Sequence, residues 1–177
     1  PNLDSGYRLA WHLDDRPVVD VILHGECSDV ASSIRLAVDQ CEGLLASVTL
    51  IWLGQEEPPV LPTQLLGGVS FAIVRAPSGD KTGALANAVA ATSAPVVLLL
   101  DVCVTRLARH SLRDLTGWIL KHPEIGFASA LVQLDDGTVV EAGRVVGLGG
   151  VTQPLFRGTP LRHWGPLGGP LWHRNVS

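Results

Sequence analysis

Methionine is absent from this sequence, and the chain opens at Pro1. The start of translation is therefore expected elsewhere, and the chain reads as a piece of something longer. Cysteine is scarce: Cys27, Cys41 and Cys103 are odd in number and widely spaced, with no CxxC or Cys/His ligand spacing. That supports neither a disulfide framework nor a zinc site, and it suits a reduced cytoplasmic setting. Charge is sparse too, at 17% of residues, with 13 Lys and Arg against 17 Asp and Glu and a net charge of −4. No basic stripe is present, so nucleic acid is not an expected partner. The longest apolar run, Ala94 to Leu100, falls far short of the roughly 20 residues a membrane helix needs. No signal or transit segment is visible. Neither G-x-S-x-G nor H-E-x-x-H occurs, and the six histidines are dispersed.

What is present is a core-forming chain. At 177 residues and 46% apolar content, one domain with a proper core is expected. Val18–Leu23 is a β-branched run with one polar interruption, which reads as a buried strand. Ser28 or Asp29 can cap the helix that follows, whose face is Val30, Ile34, Ala37, Val38, Cys41 and Leu45. Val48–Leu53 and Val69–Val74 read as further strands, separated by a Pro-rich connection through Pro62. Asp80 can cap a second helix with Leu85, Ala88, Val89 and Ala91 inward, and Val96–Leu100 forms a fourth strand ending at Asp101. Ser111 caps a third helix through Lys121, with Leu112, Leu115, Ile119 and Leu120 inward, and Pro123 stops it. Continuous apolar strands alternating with helices imply an α/β fold: a mostly parallel, Rossmann-like sheet covered by helices on both faces. Val96–Leu100 is expected inside that sheet, not at its edge, with Asp101 on the side of the other strand ends.

Beyond Gly126 the pattern changes. Phe127–Leu134 and Thr138–Val146 read as two strands joined by Asp135-Asp136-Gly137, a hairpin expected to lie beside the sheet or to extend it. Gly147–Pro170 is rich in Gly and Pro without periodicity and reads as a long loop. The expected organisation is a leader over 1–16, an α/β core over 17–126, and a hairpin with its loop over 127–177.

Two glycine motifs fail on context. In Gly79-Asp80-Lys81-Thr82 an Asp separates Gly from Lys, and Val74 stands where a phosphate loop needs its first Gly. Gly147-Leu148-Gly149-Gly150 neither follows a first strand nor opens a helix, so it is no dinucleotide fingerprint. Asp101 carries more. A carboxylate ending an apolar strand lies where open α/β sheets bind ligands, and it can hold a divalent metal on a diphosphate. The plainer reading is an Asp that starts a turn and bonds its own backbone.

Three stretches carry a family resemblance. Lys81-Thr82-Gly83-Ala84-Leu85-Ala86-Asn87-Ala88, followed by Ala90 through Asp101, resembles the centre of family-2 glycosyltransferases with the GT-A fold. There a small-residue helix and an apolar strand lead into an Asp-x-Asp metal motif. Leu134-Asp135-Asp136-Gly137-Thr138-Val139-Val140-Glu141-Ala142-Gly143 and the run on to Gly150 resemble the "PDGTIQHAG-VLGLGG" hairpin of the rhamnosyl- and galactofuranosyltransferase-like branch. Arg174-Asn175-Val176-Ser177 is similar to that branch's "RNVSAVTGAC", and Pro17–Cys27 stands in place of its opening strand. The resemblance implies a GT-A-like, incomplete fold that binds a nucleotide-diphosphate sugar through Lys81, Asn87 and Asp101. Asp101 would hold Mn2+ or Mg2+, the acceptor would be a glycan or lipid-linked, and the setting cytoplasmic at the inner face of a membrane. It assigns no catalytic residue here.

The motif positions also depart from the family. Asp-x-Asp becomes Asp101-Val102-Cys103, and a soft thiol is a poor ligand for hard Mg2+. The opening Pro-Thr-x-Asn becomes His24-Gly25-Glu26-Cys27, and the second strand ends in Trp52-Leu53-Gly54-Gln55 without the family's base-contacting Asp. Two functions are therefore expected to compete: the donor-binding half of a polysaccharide-building transferase, inactive in transfer by itself, and a degenerate, non-catalytic module of a larger protein.

Overall fold

The computed structural model describes residues 11–14, 16, 18–26, 29–41, 43–53, 57–58, 60, 68–76, 80–108, 110–142, 144–146, 152–154 and 156–161. The first ten residues of the expected leader, most of the loop after Gly147 and the Arg174–Ser177 motif lie outside them. The chain divides into two compact units, Pro1–Leu120 and Lys121–Ser177.

The first unit is built on β1 (Val19–His24), α1 (Val30–Gln40), β2 (Leu45–Trp52), β3 (Ser70–Arg75), α2 (Lys81–Ala90), β4 (Val96–Asp101) and α3 (Ser111–Lys121). The four strands form one parallel sheet in the order β3-β2-β1-β4. The chain thus steps outward from β1 through β2 to β3, then crosses back through α2 to lay β4 on the other side of β1.

Side-chain alternation along β1 supplies both faces of the core. Val19, Val21 and Leu23 pack with Val30, Ile34 and Ala37 of α1 and Leu112 of α3. Ile22 points the other way, to Ile51 of β2 and to Ala84 and Ala88 of α2. Each large aliphatic side chain buried in this way contributes about 1.5–3 kcal/mol, which makes the doubly covered β1 the anchor of the unit. The polar interruption, Asp20, is 3% exposed and fully engaged. Its carboxylate accepts from Ser47 Oγ at 2.5 Å and from the N–H groups of Ser93 and Ala94 at 2.9 Å each. It ties the turn before β4 to the start of β1.

The helix starts follow from capping. Asp29 accepts from the Ser32 N–H at 3.1 Å and Asp80 from the Gly83 N–H at 2.9 Å, each satisfying a donor that the first turn leaves over. Several expectations are corrected. Leu45 belongs to β2, because α1 stops at Gln40 and the chain has turned by then. On α2, Val89 and Ala91 are exposed, and the buried residues are Ala84 and Ala88, a narrow stripe of small side chains that lets the helix lie close to the sheet. Ser111 is the first residue of α3, not its cap.

The strand β4 is also not internal. Among the described residues it pairs with β1 alone and is an edge of the sheet. The strands that follow pair with one another instead. In the second unit β5 (Val132–Gln133) and β6 (Val139–Glu141) are antiparallel, and β7 (Arg144–Val146) pairs antiparallel with β8 (Thr152–Pro154). Gly137, with φ of +81°, sits in the turn between β5 and β6. These strands are far shorter than the two long ones expected, and β8 falls within the stretch read as a structureless loop.

Candidate functional site

In an open parallel sheet the strand ends diverge where the chain reverses its direction of winding, and ligands bind in the crevice this opens. Here that place lies between β1 and β4. Their last residues, His24 and Asp101, are partners in register, so the site begins with an imidazole beside a carboxylate.

Local geometry holds both. Gly25 follows His24 with φ of +121°, a conformation nearly confined to glycine. A Cβ there would stand 2.9 Å from Asp101 Oδ1, so glycine lets the loop after β1 pass close to the carboxylate. The Val102 N–H donates to the His24 carbonyl at 2.9 Å, and Ser33 Oγ donates to the Val102 carbonyl at 2.7 Å. Asp101 Oδ1 accepts from the Cys103 N–H at 2.8 Å, the turn-starting bond of the plainer reading. That bond uses one carboxylate oxygen. Asp101 Oδ2 lies 3.9 Å from His24 Nδ1, too far for a hydrogen bond. His24 Nδ1 is buried and has no hydrogen-bond partner among the described residues.

Electrostatics keep this imidazole neutral at pH 7. Burial pushes the His24 pKa down and the nearby Lys81 ammonium adds to that, while the Asp101 carboxylate opposes both without prevailing. A neutral ring nitrogen is a ligand or acceptor, not a cation.

The sequence-derived candidates divide. Asp101 stands at the carboxyl edge as expected. Lys81 is the first residue of α2, which enters from the carboxyl end of β3, and its charge reaches His24. Asn87 is exposed and six residues further on, about 9 Å along the helix axis, and is not brought to the same place. Cys103 is exposed, and its Sγ lies 3.4 Å from the Glu26 carbonyl oxygen, joining the loops after β1 and β4. His24 and Gly25 were not among the candidates. Their signal was position: His24 ends, and Gly25 follows, the strand that became the middle of the topology.

No group of three His, Cys, Asp or Glu side chains able to hold a metal occurs among the described residues. Among the described residues, Asp101 offers one carboxylate oxygen that no hydrogen bond takes up. Such a donor set fits a metal shared with a diphosphate, since Mg2+ commonly takes one or two carboxylates and completes its shell with phosphate oxygens and water. It does not fit a metal held by protein alone. No helix among the described residues is long and apolar enough to cross a membrane. No protein-family model matches the chain, and no curated protein matches it in sequence.

Proposed function

We propose that this chain binds the diphosphate of a nucleotide-sugar at the carboxyl ends of β1 and β4, as the donor half of a family-2-type glycosyltransferase. The observation that carries the reading is the pairing of Asp101 with the switch point of a parallel sheet in the order β3-β2-β1-β4. Lys81 at the start of α2 supplies a cation on the same side. In this reading Asp101 Oδ2 would hold Mn2+ or Mg2+, which when bound supplies charge neutralisation to the leaving diphosphate. The chain's own residues bind and orient: Gly25 leaves room at the carboxylate, and the Cys103 N–H fixes its rotamer. The edge position of β4 is where the likeness to the GT-A arrangement falls short.

The second reading, a non-catalytic module, draws on Cys103. The thiol stands where the family motif has a carboxylate, and it lies against the Glu26 carbonyl.

Calorimetry with uridine and deoxythymidine diphosphates, with and without Mn2+, tests the proposal. The expected result is metal-dependent binding in the millimolar range, ~4 kcal/mol. Tightening by Cys103→Asp, which restores a hard ligand, is expected with it. Absence of metal-dependent nucleotide binding in both proteins would overturn the donor reading and leave the module.

A further inference from the structure

The proposed diphosphate reading leaves one feature of the site without a role: a buried imidazole nitrogen facing a carboxylate oxygen that it does not reach. Among the described residues His24 Nδ1 is buried without a hydrogen-bond partner, and Asp101 Oδ2 stands 3.9 Å away. A buried nitrogen left unsatisfied is unfavourable, so the arrangement calls for an atom that both groups can bind.

We propose that His24 is a second protein ligand beside Asp101 for the metal shared with the diphosphate, and that this nitrogen–oxygen pair selects Zn2+ or Co2+ over Mg2+. The inference rests on the diphosphate reading above. Distances favour it. Two ligands about 2.0–2.1 Å from a tetrahedral ion are separated by about 3.4 Å, whereas neighbouring ligands of octahedral Mg2+ are separated by about 2.9 Å. From 3.9 Å, the tetrahedral ion asks for a shift of about 0.5 Å, which one side-chain torsion supplies. Mg2+ asks for about twice that.

Chemistry points the same way. Imidazole suits Zn2+ and Co2+, while Mg2+ prefers oxygen alone. The loss of the family's second carboxylate at Cys103 therefore coincides with a new donor on the neighbouring strand. Gly25 keeps the loop after β1 from pressing a Cβ on the Asp101 carboxylate. Phosphate oxygens and water complete the shell.

The experiment uses uridine diphosphate as probe, with Co2+ or Mg2+, on the whole chain and on His24→Gln. With Co2+ and the nucleotide, a hyperfine-shifted exchangeable imidazole N–H is expected in the proton spectrum and is absent from His24→Gln. Nucleotide affinity with Co2+ should fall about tenfold or more in the variant, since even residues that only support a ligand cost 10–100-fold. Affinity with Mg2+ should fall by a clearly smaller factor. If His24→Gln fails to fold by circular dichroism, the two-bond 15N–1H spectrum of the wild-type imidazoles decides instead. His24 should then respond to Co2+ before the other five histidines. Equal support from Co2+ and Mg2+ with no change in the variant would overturn the inference and leave the diphosphate reading standing. Absence of nucleotide binding with either metal would overturn the diphosphate reading, and the inference with it. No response of His24 to Co2+ under any condition would overturn the inference.

Discussion

Asp20 and Gly25 stand at opposite ends of β1, and each does something that its residue type alone does not announce. The Asp20 carboxylate accepts three hydrogen bonds in a place 3% exposed. Burial works to raise its pKa, but the bonds from Ser47 Oγ and from the Ala94 and Ser93 N–H groups outweigh it and hold the value below the usual carboxylate range. A depressed folded pKa gives stability that is complete above the unfolded value of about 3.9 and is lost as pH falls through the folded value. Asp20→Ala should cost about 3 kcal/mol at pH 7, since hydrogen bonds to a charged group are worth about 1.5–3 kcal/mol each and two N–H groups lose their acceptor. The difference from wild type should hold steady from pH 5 to 8 and shrink below about pH 3.9. Urea midpoints across that range check both parts, and a difference that grows on acidification would refute the sign. Gly25→Ala should cost about 2 kcal/mol, from a φ that L residues rarely adopt and a Cβ pressed on Asp101. Gly126→Ala is the control: a Cβ there meets nothing, and the change should stay within about 0.5 kcal/mol. The sequence displayed both residues, as a polar break in an apolar run and as a glycine after a strand. It could not say what either touches, because Ser93 lies 73 positions from Asp20.

Among the helices, local signals and packing signals separate. The caps were legible, Asp80 outright and Asp29 as one of two neighbours with Ser28, because capping is a contact over three residues, decided by the chain's own neighbours. The buried faces were legible only in part. On α1 the apolar spacing named Val30, Ile34 and Ala37 correctly. On α2 it named Val89, which is 38% exposed, and missed Ala84, because small residues at the closest approach carry little hydrophobic signal. The middle of α3 repeats the lesson. Gly117 is buried, and a Cβ there would collide with the ring of Trp11, which stacks edge-on with Trp118 at a centroid distance of 5.1 Å. Arg113 Nη2 donates to the Leu13 carbonyl at 2.7 Å and completes the attachment of this segment to the helix. Replacing Gly by Ala inside an exposed helix gains about 1 kcal/mol. Gly117→Ala is expected to lose stability nonetheless, with a weakened Trp near-ultraviolet signal as Trp11 leaves its seat. A more stable variant with an unchanged spectrum would show that this docking is not as described.

At the scale of the molecule, the order β3-β2-β1-β4 makes β1 the best-protected strand. It has a neighbour on each side and helices on both faces. Its amides are expected to exchange slowest with solvent. Those of β5, whose two residues are both exposed, should be among the fastest. Exchange followed by mass spectrometry over peptides covering β1 and β4 tests this, and slower exchange in β4 would contradict its position at the edge. The same order creates the candidate site, because only a strand flanked in this way has a neighbour across a reversal of winding.

The sequence by itself determined the α/β class, the positions of four strands and three helices to within a few residues, two caps, and Asp101 as a strand-ending carboxylate. These depend on periodicity and on contacts a few residues apart, which a chain carries wherever it folds. Tertiary structure decided that, among the described residues, β4 is an edge strand, that β5–β6 and β7–β8 form short separate ladders, and that His24 meets Asp101 across 77 positions. Strand pairing is a choice among partners remote in sequence, made by the summed packing of all of them, and no local pattern records it.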